Sequence, residues 1–285
     1  MNNGEKKIIF FGYGHIAELT LLRLLKEGYQ VKLLFTHNFE DNISLIQTGS
    51  NYGIKVLFDD LRKTFSMDMI IKESRIDYLI SVNYRFILPK RIISLAKYPL
   101  NIHGSLLPKY RGRTPHIWAI INGESEIGIT SHLINENLDE GEIIIQKRLQ
   151  ITSKMSGYDL IEEFKRHYPD IVIDSINHLA ENKTLISQDS KSATFFGKRT
   201  PEMGYIDSKK YSKDVINFIR AIKPPYPGAY FYNNSGKKII VEEVVVFDGL
   251  NENLVPGKIF ESEGIYYLDC IDLRLKVVKY EVSIK

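Results

Sequence analysis

Over its first 150 residues the chain alternates short apolar runs with longer segments of helical period, and this alternation limits the folds open to it. KIIFF (residues 7–11) reads as a strand, and HIAELTLLRLLKEG sets Ile16, Leu19, Leu22 and Leu25 on one helical face, with Gly28 as the stop. VKLLFT, IKVLF and DYLISV repeat the strand signal. Parallel strands need crossovers, and crossover helices cover the faces of the sheet, so the pattern predicts an α/β architecture with a mostly parallel sheet.

Further along, RIISLAKY reads as a short helix, LNIH as a strand entering a turn, and PHIWAIING as a helix with Pro115 in its first turn. EIGITSHLI and EIIIQKRLQI form a strand pair across the polar NENLDEG, and a long helical stretch runs from about Gly157 to Asn182. SKDVINFIRAI is a last amphipathic helix, ended by PPYPG. KKIIVEEVVVF, GKIF, IYYLDC and LRLKVVKY are strand-like. The expected division is a catalytic domain over residues 1–205 and a helix plus small β module over 206–285.

Composition removes several classes of function. With 38 basic and 35 acidic residues the formal charge is +3, too little for a surface that grips nucleic acid generally, so any anion site is local. The single Cys270 excludes an intramolecular disulfide and reads as packing. The N-terminal apolar run IIFF is shorter than a signal-peptide core, and no stretch approaches a membrane span, which predicts a cytoplasmic protein. The histidines show no H-x-x-x-H spacing and one cysteine cannot anchor a thiolate site, so no metal is expected.

Two motifs suggest other chemistry. Gly12 to Gly14 follows a strand and opens a helix, the place of a phosphate-binding turn. The third glycine is replaced by Ala17 and no acidic residue ends the second strand, which favours a plain tight turn over a nicotinamide or flavin site. Ser105 follows His103 and Gly104, but Leu106 and Leu107 break the G-x-S-x-G elbow, so it reads as a turn residue. Asn101 and His103, at i and i+2 on an extended segment, project from one side of a strand at its C-terminal end, where open α/β sheets bind ligands.

The stretch NIHGSLLPKYRGRTPHIWAIINGESEIGIT, followed by LDEGEIIIQKRLQI, resembles the signature of formyltransferases that use 10-formyltetrahydrofolate. The resemblance covers the Asn-x-His pair, the turn Ser105 to Pro108 and Asp139, and extends to ISVNYRFILPKRII and AIKPPYPGAYFY, about residues 7–232. It implies a Rossmann-like catalytic sheet. FFGKRTPEMGYID is closest to the branch that formylates an amino group on a nucleotide-linked sugar, and the tail after Gly236 matches less well.

Formyl transfer to an amine passes through a tetrahedral carbon bearing an oxyanion, so donors are required where that oxygen becomes negative. By the resemblance Asn101 and His103 supply them, and Asp139 either accepts the amine's proton or holds a positive charge on His103. The resemblance also places the folate co-substrate on the backbone of Tyr84, Arg85, Phe86, Ile87 and Leu88, with no metal.

A diphosphate acceptor calls for a local basic cluster. Lys198 and Arg199 are the first choice, with Arg111 and Arg113 in reserve. The expected acceptor is a nucleotide-linked amino sugar, first a dTDP-4-amino-4,6-dideoxyglucose, as in O-antigen or lipopolysaccharide assembly, and a homodimer is compatible with this. The rival acceptor is methionyl-tRNA. Residues 236–285 hold seven Lys/Arg and nine Asp/Glu, a net of −2 where an RNA-gripping module should be basic.

Overall fold

A computed structural model describes residues 6–58, 60–62, 76–249 and 253–283. The chain forms two compact units. Residues 1–112, 128–149 and 163–195 make the first, and residues 113–127, 150–162 and 196–285 the second.

The first unit is built on a seven-stranded sheet. β1 (Lys7–Gly12), β2 (Gln30–Phe35), β3 (Lys55–Leu57), β4 (Ile76–Val82) and β5 (Ala96–His103) are followed by the two-residue β6 (Arg111–Gly112), which pairs elsewhere, and by β7 (Glu126–Leu133) and β8 (Ile143–Gln150). The order is β3-β2-β1-β4-β5-β7-β8. β1 to β5 pair in parallel and β7 runs antiparallel to β5, so the sheet is mixed, with its parallel part first. Every residue of β4 is buried, because the strand has neighbours on both edges and cover on both faces. Ile9, Phe11, Leu33, Phe35 and Leu79 join Leu61, Leu88 and Ile92 in one apolar cluster. Alternation turns Ile8 and Phe10 to the opposite face.

Helix α1 (Gly14–Lys26) buries Ile16, Ala17, Thr20, Leu21 and Leu24, whereas Leu19, Leu22 and Leu25 are only partly covered. The expected face is therefore rotated. Leucines fill two adjacent rows of this helix, and the row carrying small Ala17 and Thr20 is the one that faces the interior, with the Thr20 hydroxyl satisfied by the Ile16 carbonyl. Gly28, at φ +80°, ends the helix as expected, and its N–H donates to the Leu25 carbonyl.

Chain order reverses at β1, which has β2 on one side and β4 on the other, and such a reversal opens a crevice beyond the C-terminal ends of the strands. The Gly12–Gly14 turn lies there. Its Gly14 N–H donates to Asn42 Oδ1 at 2.9 Å and its Gly12 carbonyl accepts from Thr36 Oγ1 at 2.8 Å. The turn thus ties β1 to the segment that enters α2 (Ile43–Asn51), with the first helical N–H already spent on a side chain.

RIISLAKY contributes only the single turn α3 (Lys90–Ile93), because Ala96 already pairs with β4 as the first residue of β5. α4 (Pro115–Ile121) and the long α5 (Gly157–Ala180) follow, then β9 (Phe195–Phe196), paired with β6. The second unit holds α4, α6 (Ser212–Ile222) and an antiparallel sheet of β10 (Ala229–Tyr232), β11 (Lys238–Val246), β12 (Ile259–Ser262), β13 (Ile265–Asp269) and β14 (Arg274–Val282). Its order is β10-β11-β14-β13-β12. Among these strands β10 has no counterpart in the expected set. Cys270 is buried and its thiol is pushed up to about 12 by burial, which makes it inert packing. No helix among the described residues is long and apolar enough to cross a membrane.

Candidate active site

β5 ends in the predicted pair. Strand alternation puts Asn101 and His103 on one side, and the antiparallel register with β7 sets His132 opposite Asn101 and Thr130 opposite His103. The chain then turns through Gly104. A Cβ there would sit 2.7 Å from the Phe164 ring and 3.0 Å from the Tyr168 hydroxyl, so the glycine admits α5 against the strand end. Aromatic side chains thus fill the room beside Gly104.

The loop that follows fixes His103 and Asp139 through its backbone, by the Tyr110 carbonyl and the Gly112 N–H. Ser105 Oγ donates to the Lys109 carbonyl at 2.7 Å, a turn contact as expected, and Tyr110 is left-handed with φ +60°. His103 Nε2 donates to the Tyr110 carbonyl at 2.8 Å. A carbonyl only accepts, so Nε2 carries a hydrogen and Nδ1 is the nitrogen left to face Asp139 Oδ2, 3.7 Å away. Two residues on, the Gly112 N–H donates to the same carboxylate at 3.0 Å.

Asp139 lies in the β7–β8 loop and is 9% exposed. Burial alone would raise its carboxyl, but His103, His132 and the Gly112 N–H outweigh it and hold the group well below the usual carboxylate range. Asp139 is therefore ionised at neutral pH. The same charge, added to burial, pushes the Tyr168 phenol up, so Tyr168 stays protonated.

His132 is the member that sequence reasoning did not name. Its Nδ1 donates to the Leu133 carbonyl at 2.8 Å, which leaves Nε2 to accept from Asn101 Nδ2 at 3.2 Å. Nε2 also stands 3.6 Å from Asp139 Oδ1. The contact orients the Asn101 carboxamide with its nitrogen inward and its second N–H available to another acceptor. An amide donor, two imidazoles and an ionised carboxylate thus converge within about 4 Å contacts, a set able to stabilise an oxyanion and take up a proton. Among the described residues no group of three or more His, Cys, Asp or Glu is arranged to hold a metal.

The loop Tyr84 to Leu88 leaves β4 in the crevice beside this cluster. Leu88 is buried in the apolar cluster, Ile87 is 58% exposed, and Tyr84 stacks on His37 with ring centroids 4.7 Å apart. His37 Nε2 accepts the Arg85 N–H at 3.2 Å, and Phe86 meets the same imidazole edge-on. Burial, with Arg85 nearby, lowers the pKa of His37, so a neutral imidazole pins the loop. The Arg85 guanidinium lies over the Tyr13 ring at 3.9 Å and donates to its hydroxyl, which in turn donates to Asp41. His37 carried no signal in the sequence beyond its place at the end of the second strand.

The basic candidates divide sharply. Arg111 is 2% exposed and its guanidinium is spent on Glu140 and Gln188, so it is no surface anion site. Arg199 donates to the Met203 carbonyl and lies over Trp118 and Phe218, at 4.9 and 5.4 Å from their centroids. Lys198 and Arg113 are exposed.

Comparison with known proteins identifies the family. The sequence is 31% identical to a methionyl-tRNA formyltransferase of Caldanaerobacter subterraneus subsp. tengcongensis over 287 aligned residues, 96% of this chain and 92% of that protein. A 4-N-formyltransferase from Francisella tularensis superposes with TM-score 0.69 at 27% identity, over 84% of this chain and 98% of its own. WlaRD, a sugar 3N-formyltransferase solved with dTDP and 5-N-formyl-THF, shares the fold with TM-score 0.75 at 22% identity over 98% of each chain. The model of the formyl transferase domain matches residues 6–176 and that of its C-terminal domain residues 198–282, and the chain is accordingly an enzyme of the formyltransferase family.

Proposed function

We propose that the enzyme moves a formyl group from 10-formyltetrahydrofolate to the amino group of a nucleotide-linked amino-deoxysugar. The observation that carries the chemistry is the convergence of Asn101, His103 and ionised Asp139 at the end of β5. The acceptor nitrogen attacks the formyl carbon, and the carbonyl oxygen becomes an oxyanion facing the Asn101 N–H and the His103 edge. Asp139 accepts the proton leaving the nitrogen, directly or through water. Collapse of the oxyanion breaks the bond from carbon to the folate nitrogen, which takes up a proton, leaving a formamide and tetrahydrofolate.

The pinned loop Tyr84 to Leu88 is the proposed seat of the folate, with the Arg85, Phe86 and Ile87 backbone at its mouth. Exposed Lys198 and Arg113 are the proposed contacts to a diphosphate, and Arg199 braces the same segment through its Trp118 stack. The net −2 over residues 236–285 supports a sugar acceptor, as does the likeness to the Francisella enzyme. A dTDP-4-amino-4,6-dideoxyglucose remains the first acceptor to try. The second reading, methionyl-tRNA, rests on the 31% identity across nearly the whole chain. Incubating the enzyme and 10-formyltetrahydrofolate with dTDP-, UDP- and GDP-linked amino sugars, and separately with initiator methionyl-tRNA, separates the two. Mass spectrometry should find a formylated sugar and no comparable rate on tRNA; faster tRNA formylation reverses the assignment.

A further inference from the structure

We infer that Gln188, together with Arg111, is a positioning residue that fixes the Asp139 loop for formyl transfer, an inference that rests on the reading above. Asp139 is not a glycine, yet its backbone is left-handed at φ +54°. Aspartate enters this region more readily than most side chains but still at a cost, which the surroundings must offset. Here the surroundings are specific. Gln188 Nε2 donates one N–H to the Asp139 carbonyl at 2.9 Å and the other to the Gly141 carbonyl at 2.7 Å. Its Oε1 accepts from Arg111 Nη2 at 2.7 Å and Nε at 3.2 Å. Arg111 Nη1 reaches Glu140 Oε1 at 2.8 Å.

Three successive loop residues, 139 to 141, are therefore held by one Gln–Arg pair. The orientation of the Gln188 amide follows from its partners: a guanidinium only donates, so the oxygen must face Arg111 and the NH2 must face the carbonyls. On the far side of the loop a Cβ at Gly141 would fall 1.7 Å from the Leu133 carbonyl oxygen, so the loop cannot retreat toward β7. Asp139 meets His103 and His132 at 3.7 and 3.6 Å, distances at which a modest backbone rotation would abolish both contacts. Gln188 lies 49 residues beyond Asp139 in the chain, within a segment that follows α5 and lies outside the Asn-x-His motif.

Two variants test the assignment. Gln188→Leu removes every contact, and Gln188→Glu keeps an acceptor for Arg111 but turns an oxygen toward two carbonyls. Misplacing a reacting group by about 1 Å can cost on the order of a hundredfold, so turnover should fall about tenfold to a hundredfold in both. The KM values for donor and acceptor should stay within about twofold, and turnover is compared well below the melting temperatures, because Gln188→Leu deprives buried Arg111 of an acceptor and should lower its own. In parallel, 13C NMR titration of the carboxyl groups should show Asp139 rising toward the ordinary range as it leaves the two imidazoles. Wild-type turnover in both variants, or an unmoved Asp139 titration, overturns the role. If the wild-type enzyme formylated no amine at all, the catalytic reading would fail while the titration still decided whether Gln188 positions Asp139.

Discussion

Two buried histidine environments in this enzyme look alike by burial and differ in everything else. In the first unit His103 and His132 flank Asp139, whose ionised carboxylate lies within 4 Å of both rings. In the second unit His116, 7% exposed, faces the Tyr226 hydroxyl at 2.9 Å, and burial alone lowers its pKa from 6.5 to about 4. Burying an imidazole disfavours its cation unless a charge is supplied. The first site supplies one and can host charge during a reaction; the second keeps its ring neutral and serves packing.

The largest test of this contrast is on turnover. Asn101→Ala removes an N–H donor from the developing oxyanion and His103→Ala removes the imidazole held between the Tyr110 carbonyl and Asp139, and each loss should cost on the order of a hundred- to a thousandfold in turnover. His116→Gln should leave kcat within about twofold. Measuring all three with 10-formyltetrahydrofolate and a competent amino sugar checks it, and comparable losses for His103 and His116 would mean that burial, not the carboxylate, marks the site.

A smaller effect isolates the orienting role of His132. Replacing it with Phe keeps much of the ring volume but removes the acceptor for Asn101 Nδ2 and the neighbour of Asp139. A neutral hydrogen bond contributes about 1 to 1.5 kcal/mol, so kcat should fall by about tenfold with both KM values nearly unchanged. A fall as large as that of Asn101→Ala would place His132 among the groups contacting the substrate instead.

Strand alternation alone sets Asn101 and His103 on one face, while their roles and that of Asp139 are legible only through the resemblance of their motifs to the formyltransferase signature. His132 sits in β7, in phase with Thr130, but its meeting with Asn101 depends on β7 lying next to β5, antiparallel and in register. Such long-range pairing leaves no local mark. The same holds for Arg111 against Arg113: two arginines two residues apart, one nearly fully buried and one exposed, chosen by the partners Glu140 and Gln188 that the fold delivers. The α1 face differs from the expected one for a related reason, since either leucine row satisfies the helical period and only the sheet selects between them. β10 leaves little strand signal because AYFY follows PPYPG, where turn residues dominate the local pattern.

The smallest expected effect belongs to His116 and concerns stability rather than rate. Its folded pKa, about 4, lies below the unfolded value near 6.5, so the unfolded chain binds the extra proton first. The stability that comes from keeping this ring neutral is therefore complete above pH 6.5 and is lost progressively as pH falls toward 4. By pH 5.5 the loss should be about 1 kcal/mol, or a melting shift of roughly 2–4 °C for a chain of this size. Asp139 is shifted in the same direction, but its carboxyl titrates below the ordinary carboxylate range, so its contribution persists through this window. Between pH 7 and 5 the melting temperature of wild type minus that of His116→Gln should thus fall by this amount, whatever the variant costs at pH 7. Parallel curves would show that folding leaves the His116 pKa unshifted, and the contrast between its site and that of His103 would lose its physical basis.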